Sequence, residues 1–241
     1  MEYAVMNKKG KREINEDFAD VFHAGKRYIC VLADGLGGHG GGEIASKEAV
    51  ETVKKIFLNS AEEPVEKLVR DSFQNAHNML KKLQNEVNEK SFFKTTLVIL
   101  IIDEDYILWG HIGDSRLYHF EQNKLIERSM DHSVPQMLAN SGKIKECKIR
   151  YHEDRNKLTR VLGSEEENSK PYITDKEPRN KGAAFLLCSD GFWELIDERH
   201  MEKALKKSNS PQEWLDRMNE KIVKNGRKRD MDNYSAIAVR L

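Results

Sequence analysis

Apolar positions along this chain recur at two periods, and the switches between them mark its elements. Tyr3-Ala4-Val5-Met6 is a short first strand, and Phe18 to Phe22 alternates with period two, as a half-buried strand does. A tight turn at Ala24-Gly25-Lys26 leads into a continuous apolar run, Tyr28 to Ala33, the pattern of a strand covered on both faces. Over 43–57 the period becomes helical, with Ile44, Ala45, Ala49, Val50, Val53 and Ile56 on one face. Pro64, suited to a first helical turn, opens a second helix running to about Asn88. Its stripe is Val65, Leu68, Val69, Phe73, Ala76, Leu80, Leu83 and Val87.

A β-prone run follows at 95–102, then strands at 106–111 and 115–120 and a hairpin turn at Glu121-Gln122-Asn123. Residues 131–182 are polar and lack clean periodicity, apart from a short helix over 134–141 with Gly142 just past its end. They read as an excursion beside the core, a lid over a site. Ala183 to Cys188 is again a buried strand, helices are predicted at 198–207 and 211–224, and a strand over 234–241 ends the sequence. Many strands with helices in two pairs indicate an α+β layered domain.

Composition narrows the function classes. Lys+Arg and Asp+Glu number 40 each, so the formal net charge is zero, which leaves no electrostatic footprint for nucleic acid or an anionic membrane. No apolar run approaches the ~20 residues of a spanning helix, and no signal peptide is read at the N-terminus. Cys30, Cys147 and Cys188 are odd in number and form no CxxC, which suits reduced structural thiols in a cytoplasmic protein. With 241 residues, no repeat and no linker, a single domain is expected. Nothing asks for an oligomer, so a monomer is expected.

The candidate chemistry lies in aspartates at strand ends. Asp34 follows the Tyr28–Ala33 run, Asp190 follows the 183–188 run, Asp232 precedes the last strand, Asp17 precedes Phe18, and Asp114 lies between two strands. Asp-Gly alone is a turn dipeptide. If the strand ends converge, however, five carboxylates meet at one rim, and such charges need cations. Oxygen-only ligation favours Mg²⁺ or Mn²⁺. Gly35-Leu36-Gly37-Gly38-His39-Gly40 also matches the dinucleotide fingerprint. Against that reading, a second helix stands where the second parallel strand should be, and Asp34 would oppose a pyrophosphate.

Together these residues resemble the PPM, or PP2C-type, metal-dependent protein serine/threonine phosphatases in their compact bacterial form. Arg12 to Asp17 resembles the opening R-x-x-N-x-D element and Ala33 to His39 the D-G-M-G-G-H element. Thr95-Thr96 stands at the family's Gly-Thr-Thr strand start, Gly113 to Arg116 is GDSR, and Asp131-His132-Ser133 is DHS. Leu158 to Gly163 resembles LTRxLG, and Ser189-Asp190-Gly191 and Asp232-Asn233 match the two late metal elements.

The resemblance implies a four-layer αββα sandwich: two central, mainly antiparallel sheets flanked by helix pairs. It implies one domain over 1–241 with a flap at about 134–157. It implies two Mn²⁺ or Mg²⁺ ions bridged by Asp34 and a water, with the Gly35 carbonyl, Asp190 and Asp232 completing the sites. Asp17 would act through metal-bound waters, Asp114 would help hold a weaker third ion, and Arg12 would grip the substrate phosphate. A metal-bridging hydroxide would attack phosphorus in phosphoserine or phosphothreonine directly, with no phosphoenzyme. Partners would be phosphorylated proteins and a cognate Ser/Thr kinase. The alternative from another class is a catalytically inactive adaptor of the same fold, which the full set of aspartates disfavours. Leu36 replaces the histidine of eukaryotic members, and Lys94 stands where bacterial members have glycine. His39 is a candidate general acid or specificity residue, or part of the turn.

Overall fold

The computed structural model describes residues 1–36 and 41–241. In chain order its strands begin with β1 (Glu2–Lys8), β2 (Asp17–Ala24) and β3 (Arg27–Leu36), followed by helices α1 (Gly41–Asn59) and α2 (Val65–Val87). Then come β4 (Lys94–Thr95), β5 (Leu97–Ile102), β6 (Tyr106–Ile112), β7 (Arg116–Glu121), β8 (Lys124–Arg128) and α3 (Val134–Asn140). The remainder is β9 (Tyr172–Ile173), β10 (Glu177–Pro178), β11 (Ala184–Cys188), α4 (Asp190–Trp193), α5 (Glu198–Lys206), α6 (Pro211–Gly226) and β12 (Tyr234–Arg240).

Two antiparallel sheets result. One runs β1-β12-β11-β7-β8 and the other β10-β6-β5-β3-β2, with β4 added to β3 and β9 to β6. Period-two alternation sorts each strand's side chains between two cores. In β3, Ile29, Val31 and Ala33 meet α1 and α2, whereas Cys30 and Leu32 enter the core between the sheets. In β11, Leu186 and Cys188 meet α5 and α6, whereas Phe185 and Leu187 turn inward. Three apolar cores therefore separate four layers, the αββα sandwich expected above. Cys30 and Cys188 are buried thiols and Cys147 is exposed.

Several expectations shift locally. The predicted run at 95–102 is divided at Thr96, because β4 pairs with Gly35 and Leu36 while β5 pairs with residues 28–32. β9 and β10 lie in the polar 131–182 segment and are too short to display a period. Ile44 and Val87 are 47% and 51% exposed. The buried face of α1 runs through Ala45, Ala49 and Val53, so Ile44 falls at its side, and Val87 is the last residue of α2. The 121–123 turn has Gln122 and Asn123 at φ 50° and 62°, as a two-residue type I′ hairpin requires.

Candidate metal centre

The core between the sheets changes from apolar to acidic at one end, and alternation dictates which residues stand there. Two residues beyond Leu32, β3 delivers Asp34 to the inter-sheet face. On β2, Ala19 and Val21 pack toward that core, so Asp17 shares the face, directly opposite Asp34 in register. Beyond Leu187 the same step reaches Ser189, with Asp190 next, and before Ile237 it reaches Ser235.

Hydrogen bonds hold these ends in place. The Asp34 N–H donates to Thr96 Oγ1 at 2.9 Å. Its carbonyl accepts from the Thr96 N–H at 2.9 Å and from the Thr95 hydroxyl at 2.8 Å. The Thr95-Thr96 pair thus serves the backbone of Asp34 and leaves its carboxylate to the cleft. Asp17 Oδ2 accepts from the Ser189 hydroxyl at 2.7 Å, whose oxygen accepts from the Ser235 N–H at 3.0 Å. Asn233 ties the ends of the chain together: its amide donates to the carbonyls of Lys9 and Ile14 at 2.8 and 2.9 Å, and its Oδ1 accepts from the Glu16 N–H at 2.8 Å. Two glycines permit the close approach. A Cβ on Gly35 would lie 2.0 Å from the Gly42 carbonyl oxygen, and one on Gly191 2.1 Å from that of Asn233.

Asp34, Asp114, Asp190 and Asp232 line one open cleft of about 510 Å³, with Arg12, Glu16, Gly35 and Asn156 beside them. Asp17 lies beneath it, 4% exposed. Burial, reinforced by the neighbouring carboxylates, holds Asp34 and Asp190 well above the usual carboxylate range. Burial likewise raises Asp17 to about 7. Asp114 also reaches about 7, through burial and then the charge of Asp131. Arg12 is half exposed and donates to Asp232 Oδ2 at 2.8 Å.

These residues fit divalent cations. All the acidic donors are oxygens, as hard ions prefer. Asp17 Oδ1 is buried without a hydrogen-bond partner, beside the charge of Asp232. A cation would also offset the burial, and then the repulsion, that raise these carboxylates.

The cleft is buttressed by the next loop. Asp131 accepts two bonds from Arg116, at 2.8 and 2.7 Å, and the guanidinium lies 3.4 Å from the centre of the Trp193 ring. Trp193 in turn donates to the Asp114 carbonyl at 3.0 Å. His132 Nδ1 accepts from the Gly113 N–H at 3.2 Å, and its ring stacks on His111 at 4.7 Å. Burial first, then His111 and Arg160, push His132 down to about 3. A histidine in the unfolded chain gains its proton near pH 6.5, so stability falls as pH drops from there toward 3. A His132→Asn protein is therefore expected to lose less stability between about pH 7 and about pH 5 than the parent, read as urea midpoints; equal losses would contradict this origin of acid sensitivity.

The structure thus brings together Arg12, Asp17, Asp34, Gly35, Asp114, Asp190 and Asp232. His39 lies outside the described residues. Lys94 pairs with Leu36 across β4 and β3. Sequence reasoning did not assign roles to Ser189, Asn233 and Glu16. Alternation along β11 could have flagged Ser189, but no sequence signal joins Asn233 to Lys9.

Comparison with known proteins gives the family and the fold. The family model for Protein phosphatase 2C matches residues 8–232. A serine/threonine phosphatase, stp, of Listeria welshimeri is 31% identical over 211 residues, covering 85% of this chain and 82% of its own. The crystal structure of the serine/threonine phosphatase Stp1 of Staphylococcus aureus superposes with a TM-score of 0.88 at 26% identity, covering all of this chain and 94% of its own. The catalytic domain of the serine/threonine protein phosphatase PstP, solved with two manganese ions, shares the fold at a TM-score of 0.81 and 24% identity, covering 98% of this chain and 96% of its own. With its four-layer sandwich, its rim of aspartates and a family match across most of its length, the chain belongs to the protein phosphatase 2C family.

Proposed function

We propose that this protein hydrolyses phosphoserine and phosphothreonine in proteins, using Mn²⁺ or Mg²⁺ held at the aspartate rim, and so opposes a Ser/Thr kinase. The observation that carries this reading is the convergence of Asp34, Asp114, Asp190 and Asp232 with Arg12 on one open cleft. Asp34, the Gly35 carbonyl, Asp190 and Asp232 would hold two ions, and Asp114 would contribute to a weaker third. Bound there, the ions would supply Lewis acidity, lowering the pKa of water and offsetting charge on the phosphoryl oxygens.

The remaining work falls to the chain itself. Arg12 keeps N–H groups beyond the one spent on Asp232, and these can bind and orient phosphate oxygens. Asp17 has one oxygen fixed by Ser189 and the other free to accept from water. The Asn233 clamp sets the loop that carries Arg12. No cysteine lines the cleft among the described residues, and burial pushes the Cys30 thiol up to about 12. This argues against a cysteinyl-phosphate intermediate, and in this reading water attacks phosphorus directly without a phosphoenzyme.

In this reading 1–241 is one phosphatase domain, and 134–157 is a flap. Asn156, near its end, reaches the cleft. Arg150 anchors the segment by donating to the carbonyl of Ile196 at 2.6 Å and to Glu198 at 2.6 Å. The protein is taken as a cytoplasmic monomer, where free thiols stay reduced. No helix among the described residues is long and apolar enough to cross a membrane. Phosphate release from a phosphothreonine peptide should require added Mn²⁺ or Mg²⁺ and stop with chelator. Release that is indifferent to chelator, or absent with both ions, would refute the proposal.

A further inference from the structure

At a lateral edge of the sandwich, β8 ends one sheet and β10 ends the other, and side chains from both edges come together there. We propose that His119, Glu127 and Glu177 form there a second, chemically distinct cation site, for a borderline divalent ion such as Zn²⁺, which ties the two sheet edges together.

Register puts the three side chains on one face. His119 sits on β7 one step past Leu117 of the inter-sheet core, and Glu127 on β8 is its cross-strand partner. Glu177 on β10 pairs with Ile107, another residue of that core. One ligand atom from each of the three lies within 4.8 Å of the others. Zinc ligands at about 2.0–2.2 Å lie closer together than this, so the exposed Glu127 and half-buried Glu177 would swing inward.

The histidine supplies an independent observation. It is 6% exposed, and its Nε2 is buried with no hydrogen-bond partner. Glu121 Oε1 is 3.6 Å away, beyond hydrogen-bond reach, and accepts instead from Asn180 at 2.6 Å. Stacking on Phe185, at 4.5 Å between ring centres, fixes the imidazole. Burial lowers the His119 pKa, which keeps the ring neutral with a lone pair to donate. Burial and the adjacent Glu177 raise Glu127, the mark of an acidic pair without a counter-charge.

The donor set decides the metal class. One imidazole nitrogen with two carboxylates suits zinc, with water in the fourth position, whereas the catalytic rim offers oxygen alone. His119 stands three residues along β7 from Arg116, roughly 10 Å of strand from the catalytic end.

The test is equilibrium dialysis of the full chain against micromolar Zn²⁺ in excess Mg²⁺, with zinc counted per chain. Glu127→Gln/Glu177→Gln protein should hold one zinc fewer than the parent and lose part of the zinc-induced rise in unfolding temperature. Its Mg²⁺-dependent phosphate release should be unchanged. Asp34→Asn/Asp190→Asn protein, with the catalytic rim disabled, should still bind one zinc. Equal zinc content in the parent and the double glutamine variant, or no zinc on the Asp34→Asn/Asp190→Asn protein, would overturn the proposal. Glu127 is exposed and Glu177 half-buried, so the unfolding temperature of the double variant without zinc checks that it folds, and the zinc count is independent of whether the catalytic reading holds.

Discussion

Asp34→Asn protein should lose at least about a thousandfold in kcat/KM toward a phosphothreonine peptide, the scale on which electrostatic stabilisation by positioned charges and metal ions acts. The substitution is nearly isosteric and removes only a charge. The backbone N–H and carbonyl of Asp34 would keep their bonds to Thr95 and Thr96, so β3 and its pairing should survive. The carboxylate itself is held in a deprotonation-resistant setting by burial and by Asp17, Asp190, Asp114 and Asp232. Under the proposed function a cation would be the counter-charge for that group, and an amide would not draw it in equally. Calorimetry should therefore show weakened Mn²⁺ binding alongside an unfolding temperature in chelator that is raised above the parent's, because the cost of a buried carboxylate among like charges is gone. Undiminished turnover in a folded variant would show that the rim aspartates are not the reaction's metal ligands.

Asp131→Ala should destabilise the protein by about 3–5 kcal/mol, the range for stranding one partner of a buried ion pair. The side chains of Arg116 and Asp131 are 3% and 1% exposed. Without the carboxylate, the guanidinium keeps only the Trp193 face, the Tyr118 hydroxyl at 3.0 Å and Glu198 at 3.8 Å. Its charge would then sit in the core largely unpaired. Because Asp114 and Ser115 immediately precede Arg116, and Trp193 bonds the Asp114 carbonyl, the cleft should loosen as well. Urea unfolding measures the loss. A change under about 1 kcal/mol, typical of a solvent-screened pair, would mean that water reaches Arg116. Replacing both partners together by Leu and Met should cost less than the single change, since desolvation of the charges disappears with them.

Much of the layer structure was legible because it rests on local periodicity. A continuous apolar run such as 28–33, short and bounded by turn residues, reads as a strand buried on both faces, and the α2 stripe reads as an amphipathic helix. The aspartates at strand ends were legible for a related reason, since each borders a strand rather than lying in a long polar segment. Sites that depend on single side chains across the sandwich were not. Asn233 bonds to Lys9, Ile14 and Glu16, and nothing near it in sequence hints at that clamp. β9 and β10 depend on the β6 edge for their existence, because two residues carry no period of their own.

The sequence by itself determined the alternation of helices and strands, the acidic strand ends and the family resemblance, all properties of neighbouring residues or of ordered motifs. Only the tertiary structure decided that Asp17 and Asp34 share one face, that Ser189 fixes one oxygen of Asp17 and leaves the other free, and that His119 meets two glutamates from the edges of opposite sheets. Those juxtapositions follow from strand register and sheet order. Register converts distant positions into neighbours, and a one-residue slip would turn the same side chains to the other face.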